Sequence, residues 1–180
     1  AEWLPAPFLS VLIEDCIRKG TDYNDGGARY NTTYIQGVGL GSIADMLTSI
    51  RYNIYESGRI SWKEMNEALN ADFEGFEGLQ HDLIHDTPKY GNDDDYADRQ
   101  AVSVFEIFYD AVCERPDARG GMHRINMLPT TCHVYFGSVT GATPDGRKAG
   151  RPLSEGISPA QGADREGPTA VIKSASKIDH

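Results

Sequence analysis

The chain has 180 residues, of which 39% are hydrophobic and 24% are charged, and its formal net charge is −10. This length fits one ordinary domain with a sizeable core. No apolar run approaches the roughly 20 residues that a membrane span needs, and the acidic balance lacks the clustered Lys and Arg that hold a phosphate backbone. Membrane spans and nucleic-acid binding are therefore excluded.

The charge is unevenly distributed along the chain. Residues 1–110 carry 8 Lys and Arg against 20 Asp and Glu, a net charge of −12, whereas residues 111–180 carry 9 against 7, a net charge of +2. The second part also holds 6 of the 9 prolines and 9 of the 19 glycines. We therefore predict one segment that is helix-rich over residues 1–116 and rich in strands and loops over 117–180.

The three cysteines, Cys16, Cys113 and Cys132, are odd in number and have no CxxC spacing. This pattern disfavours a disulfide scaffold and a zinc ribbon, and it predicts a reducing cytoplasm in which the cysteines are small apolar packing residues. The first residues lack the features of a secretory signal, and both ends resemble the interior of a longer sequence.

Hydrophobic periodicity and capping signals predict the elements in chain order. The predicted helices cover residues 8–20, 42–57, 61–71, 73–85 and 96–115, the predicted strands cover 32–36 and 130–139, and a further element begins near 170. Ser42 with Asp45 is a predicted capping pair, and Ser61 with Glu64 is a predicted capping box. Pro116 ends the longest helix.

Two motifs are typical of ligand sites but have simpler structural interpretations. Residues 37–42, Gly-Val-Gly-Leu-Gly-Ser, resemble part of a dinucleotide fingerprint, yet a helix rather than a parallel strand is predicted after the helix that they open. His81 and His85 lie one helical turn apart, as in zinc proteases, with His123 and His133 available as a third ligand. Asp82 stands where the catalytic Glu belongs, so a solvated helix is favoured.

Two further motifs are polar turns. Residues 92–95, Asn-Asp-Asp-Asp, could suggest calcium, but the EF-hand spacing is missing and a cap for the helix that follows is favoured. Residues 143–147, Thr-Pro-Asp-Gly-Arg, form a predicted turn in which Asp145 and Arg147 hold a loop.

Taken together, the order of these motifs resembles the glycyl radical enzymes of the pyruvate formate-lyase family, in the late part of their large domain. The resemblance covers nearly the whole chain and rests on GGARYN at 26–31, QGVG at 36–39, YGNDDDYAD at 90–98, TPDGRKAG at 143–150, PLS at 152–154 and GPTAV at 167–171. Residues 129–141 are more similar to the dehydratase and lyase branch, in particular hydroxyproline and glycerol dehydratases.

The resemblance implies an α/β fold, with this chain as a helix-rich fragment of a ten-stranded α/β barrel that is α+β when isolated. It implies a glycyl radical installed by an activating enzyme that uses S-adenosylmethionine and an iron–sulfur cluster, a cysteine thiyl, and elimination from a small hydroxylated substrate. A homodimer of the parent enzyme is also expected.

The sequence departs from the family pattern because it contains neither a Gly-Cys-Val-Glu nor an Arg-Val-x-Gly-Tyr motif. We therefore expect the radical cysteine loop and the glycyl radical domain to be absent, no catalytic residue or metal site in this chain, and no activity of the chain alone. If residues 130–136 form a barrel strand, alternation places Thr131, His133 and Tyr135 on one face, and these are the predicted substrate-binding residues.

Three alternatives stay open on the sequence alone. The chain could be a non-catalytic short protein that binds a partner through this surface, part of a true pyruvate formate-lyase with acyltransferase activity, or a zinc hydrolase built on His81 and His85. If the chain is a piece, several apolar residues need neighbours outside it, and these are Phe8, Ile13, Met46, Leu47, Phe105, Phe108 and Val112.

Overall fold

The computed structural model describes residues 3–179, which divide into two compact units. Unit 1 takes in the described residues up to Ile35 together with Phe108–Asn126, and unit 2 takes in Gln36–Ile107 together with the described residues from Met127 onward. None of the described helices is both long and apolar enough to cross a membrane.

Helices dominate the described chain. They are α1 (Pro7–Ser10), α2 (Glu14–Lys19), α3 (Leu40–Ser49), α4 (Trp62–Asn70), α5 (Glu77–His85), α6 (Asp95–Val112), α7 (Cys132–Ser138) and α8 (Pro168–Ser176), with a 3-10 turn at Tyr23–Asp25 and a π-helix at Ile50–Glu56 that continues α3. The strands β1 (Thr32–Gln36) and β2 (Met122–Asn126) pair in a two-stranded sheet. The predicted strand at 32–36 is therefore confirmed.

In unit 1, the single helix predicted over 8–20 is wrong. Two short helices form instead, because the chain turns extended at Ile13, with φ −114° and ψ 113°. The Ser10 hydroxyl at the end of α1 donates a hydrogen bond to Asp22 Oδ2 at 2.9 Å and accepts one from the Tyr23 amide at 2.9 Å. These contacts anchor α1 to a distant turn and outweigh the helical periodicity.

Unit 1 is held by aspartates that accept several hydrogen bonds each. Asp22 also accepts from the Ala6 amide at 3.0 Å and from the Asn24 amide at 2.8 Å. Asp117 accepts from the amides of Arg119 and Gly121, both at 2.8 Å. Such local side-chain to backbone bonds shape turns without needing an apolar core.

In unit 2, α3 begins earlier than predicted and is capped differently. Gly39 is its N-cap with φ +90°, a backbone conformation that favours glycine. The predicted capping pair is wrong, because Ser42 and Ser154 exchange amide-to-hydroxyl hydrogen bonds at 2.9 and 2.8 Å. Asp45 Oδ1 accepts from the Tyr90 amide at 2.8 Å. Both side chains are thus used for tertiary contacts.

The apolar core of unit 2 lies around α4 and α5. Its fully or nearly fully buried members are Ile60, Met65, Ala68, Phe73 and Leu83. The Ser61 hydroxyl accepts a hydrogen bond from the Glu64 amide at 3.1 Å, which confirms the Ser61 part of the predicted capping box at α4. The next helix starts at Glu77 rather than 73, because Phe73 has φ +63° and turns into the core.

The strand predicted over 130–139 is wrong, since the structure has helix α7 there. Gly137 explains the preference: a Cβ atom at this position would lie 2.3 Å from the Arg151 carbonyl oxygen. The Leu153 amide also donates to the His133 carbonyl at 3.2 Å. Close packing against residues 151–153 therefore overrides the β-branched and aromatic composition, which is a weak and context-dependent preference.

Candidate functional site

The three predicted substrate-binding residues lie on α7, where strand alternation does not apply. Thr131 is the N-cap of the helix, and Tyr135 is 66% exposed. Residues four apart share one helix face, so Thr131 and Tyr135 lie together while His133 lies on the other side. The single polar face expected of all three is therefore wrong.

His133 is a mostly buried contact between α7 and the loop that follows. Its Nδ1 lies 2.6 Å from the Thr130 carbonyl oxygen and 4.0 Å from Glu155 Oε2, and its side chain is 13% exposed. Substrate binding by His133 stays a prediction, since these neighbours give it a structural role that needs no ligand.

A cavity of about 370 Å³ lies in unit 2. Three buried charged residues, Asp45, Lys89 and Asp145, line it and are only 1%, 8% and 7% exposed. Three arginines, Arg147, Arg151 and Arg165, also line the cavity. Buried charges are costly unless they are paired and hydrogen-bonded, so the partners of Asp45 and Lys89 decide how this cavity behaves.

Burial shifts the pKa values of Asp45 and Lys89. Burial raises the pKa of Asp45 to about 7, against the opposing effects of the Lys89 ammonium and the Tyr90 amide donor. Burial likewise lowers the pKa of Lys89, which nearby Asp45 and Asp145 partly restore. Lys89 Nζ donates to the Asp145 carbonyl oxygen at 2.9 Å. Asp45 can therefore hold or release a proton near neutral pH.

The predicted turn at 143–147 forms, and three of its residues, Asp145, Gly146 and Arg147, line the cavity. The Gly146 amide donates to the Thr143 carbonyl at 3.0 Å, and the Thr143 amide donates to the Arg147 carbonyl at 2.9 Å. The predicted Asp145 and Arg147 pairing runs through Thr143, whose hydroxyl donates to Asp145 Oδ1 at 2.5 Å and accepts from Arg147 Nε at 3.1 Å.

Arg147 and Arg165 are mostly occupied by backbone carbonyls. The Arg147 guanidinium donates to the carbonyl oxygens of Gly141 and Arg151, each at 2.5 Å. Arg165 donates to those of Ile84 and His85 at 2.7 and 3.1 Å. These arginines hold neighbouring segments together through hydrogen bonds, and the segments so held form part of the cavity wall.

The aspartates at and just before the start of α6 cap the helix and bind lysine. The Tyr96 amide donates to Asp94 Oδ1 at 2.9 Å, which confirms the predicted cap. Lys177 Nζ lies 2.7 Å from Asp98 Oδ2, 2.8 Å from Asp95 Oδ1 and 3.1 Å from Asp93 Oδ1. Of the carboxylates that suggested calcium, Asp93 and Asp95 therefore bind a cation of the protein itself and Asp94 caps the helix.

Among residues 3–179, no group of three candidate metal ligands includes both histidines of the zinc motif. His81 and His85 stack with ring centroids 4.4 Å apart. Over those residues, the one group with ligand atoms close enough for a metal ion is His81, Asp82 and Asp86, within 4.8 Å of one another. Asp82 already accepts a hydrogen bond from Arg59 at 3.2 Å. The dinucleotide alternative also fails, because a π-helix and then α4 follow α3 where a strand is required.

The cysteines occupy three different environments. Cys16 is buried, Cys113 is half-buried and Cys132 is exposed on the first turn of α7. The prediction of packing roles is thus confirmed for Cys16 and wrong for Cys132. The chain also lacks the two sequence motifs that would hold a thiyl cysteine and a radical glycine.

Sequence reasoning missed the buried charges of Asp45 and Lys89 and the contacts of Lys177 with three aspartates. Asp45 and Lys89 are far apart in sequence, as are Lys177 and Asp98. No local pattern marks them, since each residue taken alone resembles an ordinary surface charge. Only the fold brings the partners together.

Two family profiles match different parts of the chain. Residues 1–137 match the family described as pyruvate formate lyase-like, and residues 153–180 match the family described as glycine radical. The first match covers most of the chain.

Known relatives agree with these matches. Over 180 residues the chain is 52% identical to trans-4-hydroxy-L-proline dehydratase of Clostridioides difficile, covering 100% of this chain and 23% of that protein. The crystal structure of hydroxyproline dehydratase from the same organism, with trans-4-hydroxy-L-proline bound, has a TM-score of 0.92 over 97% of this chain and 22% of that one.

A second solved structure extends the likeness. The glycerol-bound B12-independent glycerol dehydratase from Clostridium butyricum is 43% identical with a TM-score of 0.92, covering 100% of this chain and 23% of that one. The chain thus spans less than a quarter of the length of the relatives it matches, and its helix-rich α/β fold is that of the corresponding part of these enzymes. The chain belongs to the pyruvate formate lyase-like family.

Proposed function

We propose that this chain is part of a glycyl radical dehydratase that removes water from a small hydroxylated substrate. The observation that carries the proposal is the 52% identity to trans-4-hydroxy-L-proline dehydratase over 180 residues, together with a TM-score of 0.92 to a hydroxyproline dehydratase structure. The second dehydratase, 43% identical and bound to glycerol, supports the reaction class and leaves the choice of substrate to experiment.

The chemistry of the parent enzyme depends on residues outside this chain. A glycyl radical supplies hydrogen-atom abstraction when it is present, and the match of residues 153–180 to the glycine radical profile supports such a radical in the parent. The cysteines of this chain do not fit the reacting position, because they lack the required motif and one of them is buried. We therefore assign no catalytic residue here.

In the parent enzyme, this chain would form part of the barrel wall and help to position the reacting groups. Residues 1–137 would form part of the large domain, and the match from 153 onward suggests that the last part begins the glycine radical domain ahead of its radical loop. Of the predicted substrate contacts, Thr131 and Tyr135 share an exposed face of α7 that a substrate or the rest of the parent could reach. His133 would act indirectly, by holding α7 through its contacts with Thr130 and Glu155.

The proposed parent has two protein partners. An activating enzyme that uses S-adenosylmethionine and an iron–sulfur cluster would install the radical, and a second copy of the parent would form a homodimer. The three free cysteines fit a reducing cytoplasm, where disulfides are rare.

The test uses the full-length protein that contains this chain, prepared without oxygen together with its activating enzyme. Electron paramagnetic resonance should show an organic radical after S-adenosylmethionine is added, and the activated protein should release water from trans-4-hydroxy-L-proline or from glycerol. Turnover only of pyruvate with coenzyme A would establish an acyltransferase instead. Absence of any radical in an otherwise folded protein would support the non-catalytic alternative.

A further inference from the structure

We propose that residues 90–98, here called the docking strip, position the segment from 153 onward that matches the glycine radical profile, and that Lys177 is the positioning residue. This inference rests on the proposed function, because an effect on turnover requires a glycyl radical parent. The strip has the sequence Tyr-Gly-Asn-Asp-Asp-Asp-Tyr-Ala-Asp, and capping of α6 accounts for only part of it.

The first half of the docking strip binds the start of the segment. The Tyr90 hydroxyl donates to the Ile157 carbonyl at 3.0 Å. A Cβ atom at Gly91 would lie 2.7 Å from Pro159, so only glycine allows this close approach without displacement, and its φ of +98° also favours glycine. The strip therefore fits both a backbone carbonyl and a proline ring of this segment.

Asn92 binds the segment through both atoms of its side-chain amide. Its Nδ2 donates to the Ala163 carbonyl at 2.8 Å, and its Oδ1 accepts from the amides of Arg165 and Glu166 at 2.7 and 3.1 Å. One side chain thus satisfies three backbone groups of a loop that is otherwise irregular. Such bonds fix the path of the loop.

The second half of the docking strip binds helix α8 through charge. Lys177 Nζ contacts Asp93, Asp95 and Asp98 at 2.7 to 3.1 Å. The Ser174 hydroxyl donates to Asp98 Oδ2 at 2.9 Å and accepts from the Asp93 amide at 2.9 Å. These bonds hold one face of α8 against the start of α6.

Burial makes Lys177 the most consequential of these contacts. Asp98 has 0% exposure, and Lys177 is the cation that contacts it, with a side chain that is only 29% exposed. Removing one partner of a buried ion pair leaves an uncompensated charge, whereas an exposed pair contributes little. Lys173 provides that contrast, since it lies on α8 itself with 61% exposure and contacts the partly exposed Asp93.

The geometry therefore gives the strip a function beyond helix capping. In the proposed parent, the chain continues from α8 toward the radical loop, so the seat of α8 sets where that continuation starts. If α8 were held less tightly, the same radical reaction could occur, but the reacting groups would be displaced. Misplacement of reacting groups by even a small distance lowers turnover strongly.

The experiment compares Lys177→Met with the matched control Lys173→Met in the full-length protein. Amide hydrogen exchange of residues 168–176 should become roughly tenfold faster in Lys177→Met, while exchange in α4 stays unchanged and Lys173→Met resembles the unmodified protein. Turnover per radical should fall roughly tenfold with little change in KM, because positioning affects kcat.

A second variant guards against simple misfolding. Asp98→Asn with Lys177→Met removes both charges of this ion pair, so no unpaired carboxylate is left buried, yet α8 should still exchange faster than in the unmodified protein. Unchanged exchange of α8 in both variants would overturn the docking inference. Faster exchange with unchanged turnover per radical would overturn the positioning role.

The experiment also distinguishes a failure of this inference from a failure of the proposed function. If the unmodified protein forms no radical, the proposed function fails, while hydrogen exchange still decides whether the strip holds the segment. If the radical forms and α8 is insensitive to Lys177, the docking inference fails and the proposed function stands.

Discussion

The two units of this chain are stabilised by different kinds of interaction. The buried apolar residues of unit 2 include Met65, Phe73 and Leu83, each with 0% exposure. The described residues of unit 1 bury only Cys16 and Ala28 among their apolar side chains, and they leave Phe8 87% exposed. Unit 1 is instead held by aspartates that accept bonds from backbone amides.

This difference indicates which unit carries its own core. Apolar burial is the dominant favourable term in folding, so unit 2 has a stabilising centre of its own. Unit 1 presents an apolar surface of the kind that marks an interaction site, which fits a chain that spans less than a quarter of its relatives. Of the residues expected to need outside neighbours, Phe8 and Leu47 are exposed as predicted, whereas Phe105 is buried at 6% exposure.

The largest expected effect contrasts two leucines. Leu83→Ala in unit 2 should lower the free energy of unfolding by about 2–5 kcal/mol, because it leaves a cavity at a fully buried position. Leu12→Ala in unit 1 should change it by less than about 0.5 kcal/mol, since Leu12 is 81% exposed. Urea unfolding of the two variants measures both values. Equal losses would contradict the proposed difference between the units.

The second prediction uses pH. Because burial raises the pKa of Asp45 to about 7, the folded state holds this proton more tightly than the unfolded state does. Unit 2 should therefore lose stability as the pH rises from about 4 to about 7, by up to about 4 kcal/mol. Asp45→Asn, which keeps an acceptor for the Tyr90 amide, should flatten this dependence in unfolding measurements at several pH values.

Unit 1 should show the opposite sign. Hydrogen bonds from the Gly121 and Arg119 amides and from Thr33 lower the pKa of Asp117, so its stabilising contribution is present above the ordinary aspartate value and is lost as the pH falls. If stability rose with pH between 4 and 7 in the unmodified chain and in Asp45→Asn alike, the assignment to Asp45 would be wrong.

The third prediction concerns the aspartate framework of unit 1. Asp22→Ala removes the acceptor for two backbone amides and the Ser10 hydroxyl, so exchange of the Asn24 amide should become roughly three- to tenfold faster. The nearby exposed Asp25→Ala serves as the control and should leave that amide unchanged. Amide hydrogen exchange measured by NMR distinguishes the two.

The smallest expected effect is on surface hydrophobicity. Replacing Phe8 and Leu12 with serine should reduce binding of an apolar dye by this chain and any self-association, without a change in unfolding free energy beyond about 0.5 kcal/mol. Lys63→Ser, at an exposed position in unit 2, should leave dye binding unchanged. Dye fluorescence and sedimentation measure the two properties.

Local signals in the sequence were reliable where short-range contacts decide the structure. The strand at Thr32–Gln36, the Ser61 cap and the Asp94 cap all carry local signatures within a few residues. The ordered motifs likewise indicated the family, because each one is a short run of residue types that the sequence displays directly.

Long-range contacts decided the elements that the sequence left ambiguous or misassigned. Residues 130–139 have a strand-like composition, yet Gly137 packs against the Arg151 backbone and a helix forms. Ser42 and Asp45 have capping spacing, but Ser154 and Tyr90 bind them instead. A side chain has one set of hydrogen-bonding atoms, and the partner that the fold supplies takes precedence.

The sequence by itself determined the composition class, the turn and cap positions and the family, because these follow from residue type and local spacing. Only the tertiary structure showed that Asp45 and Lys89 are buried together and that Lys177 joins α8 to the docking strip. The reason is physical: burial and charge pairing depend on which distant residues share a place in space, and one-dimensional periodicity carries no record of that distance.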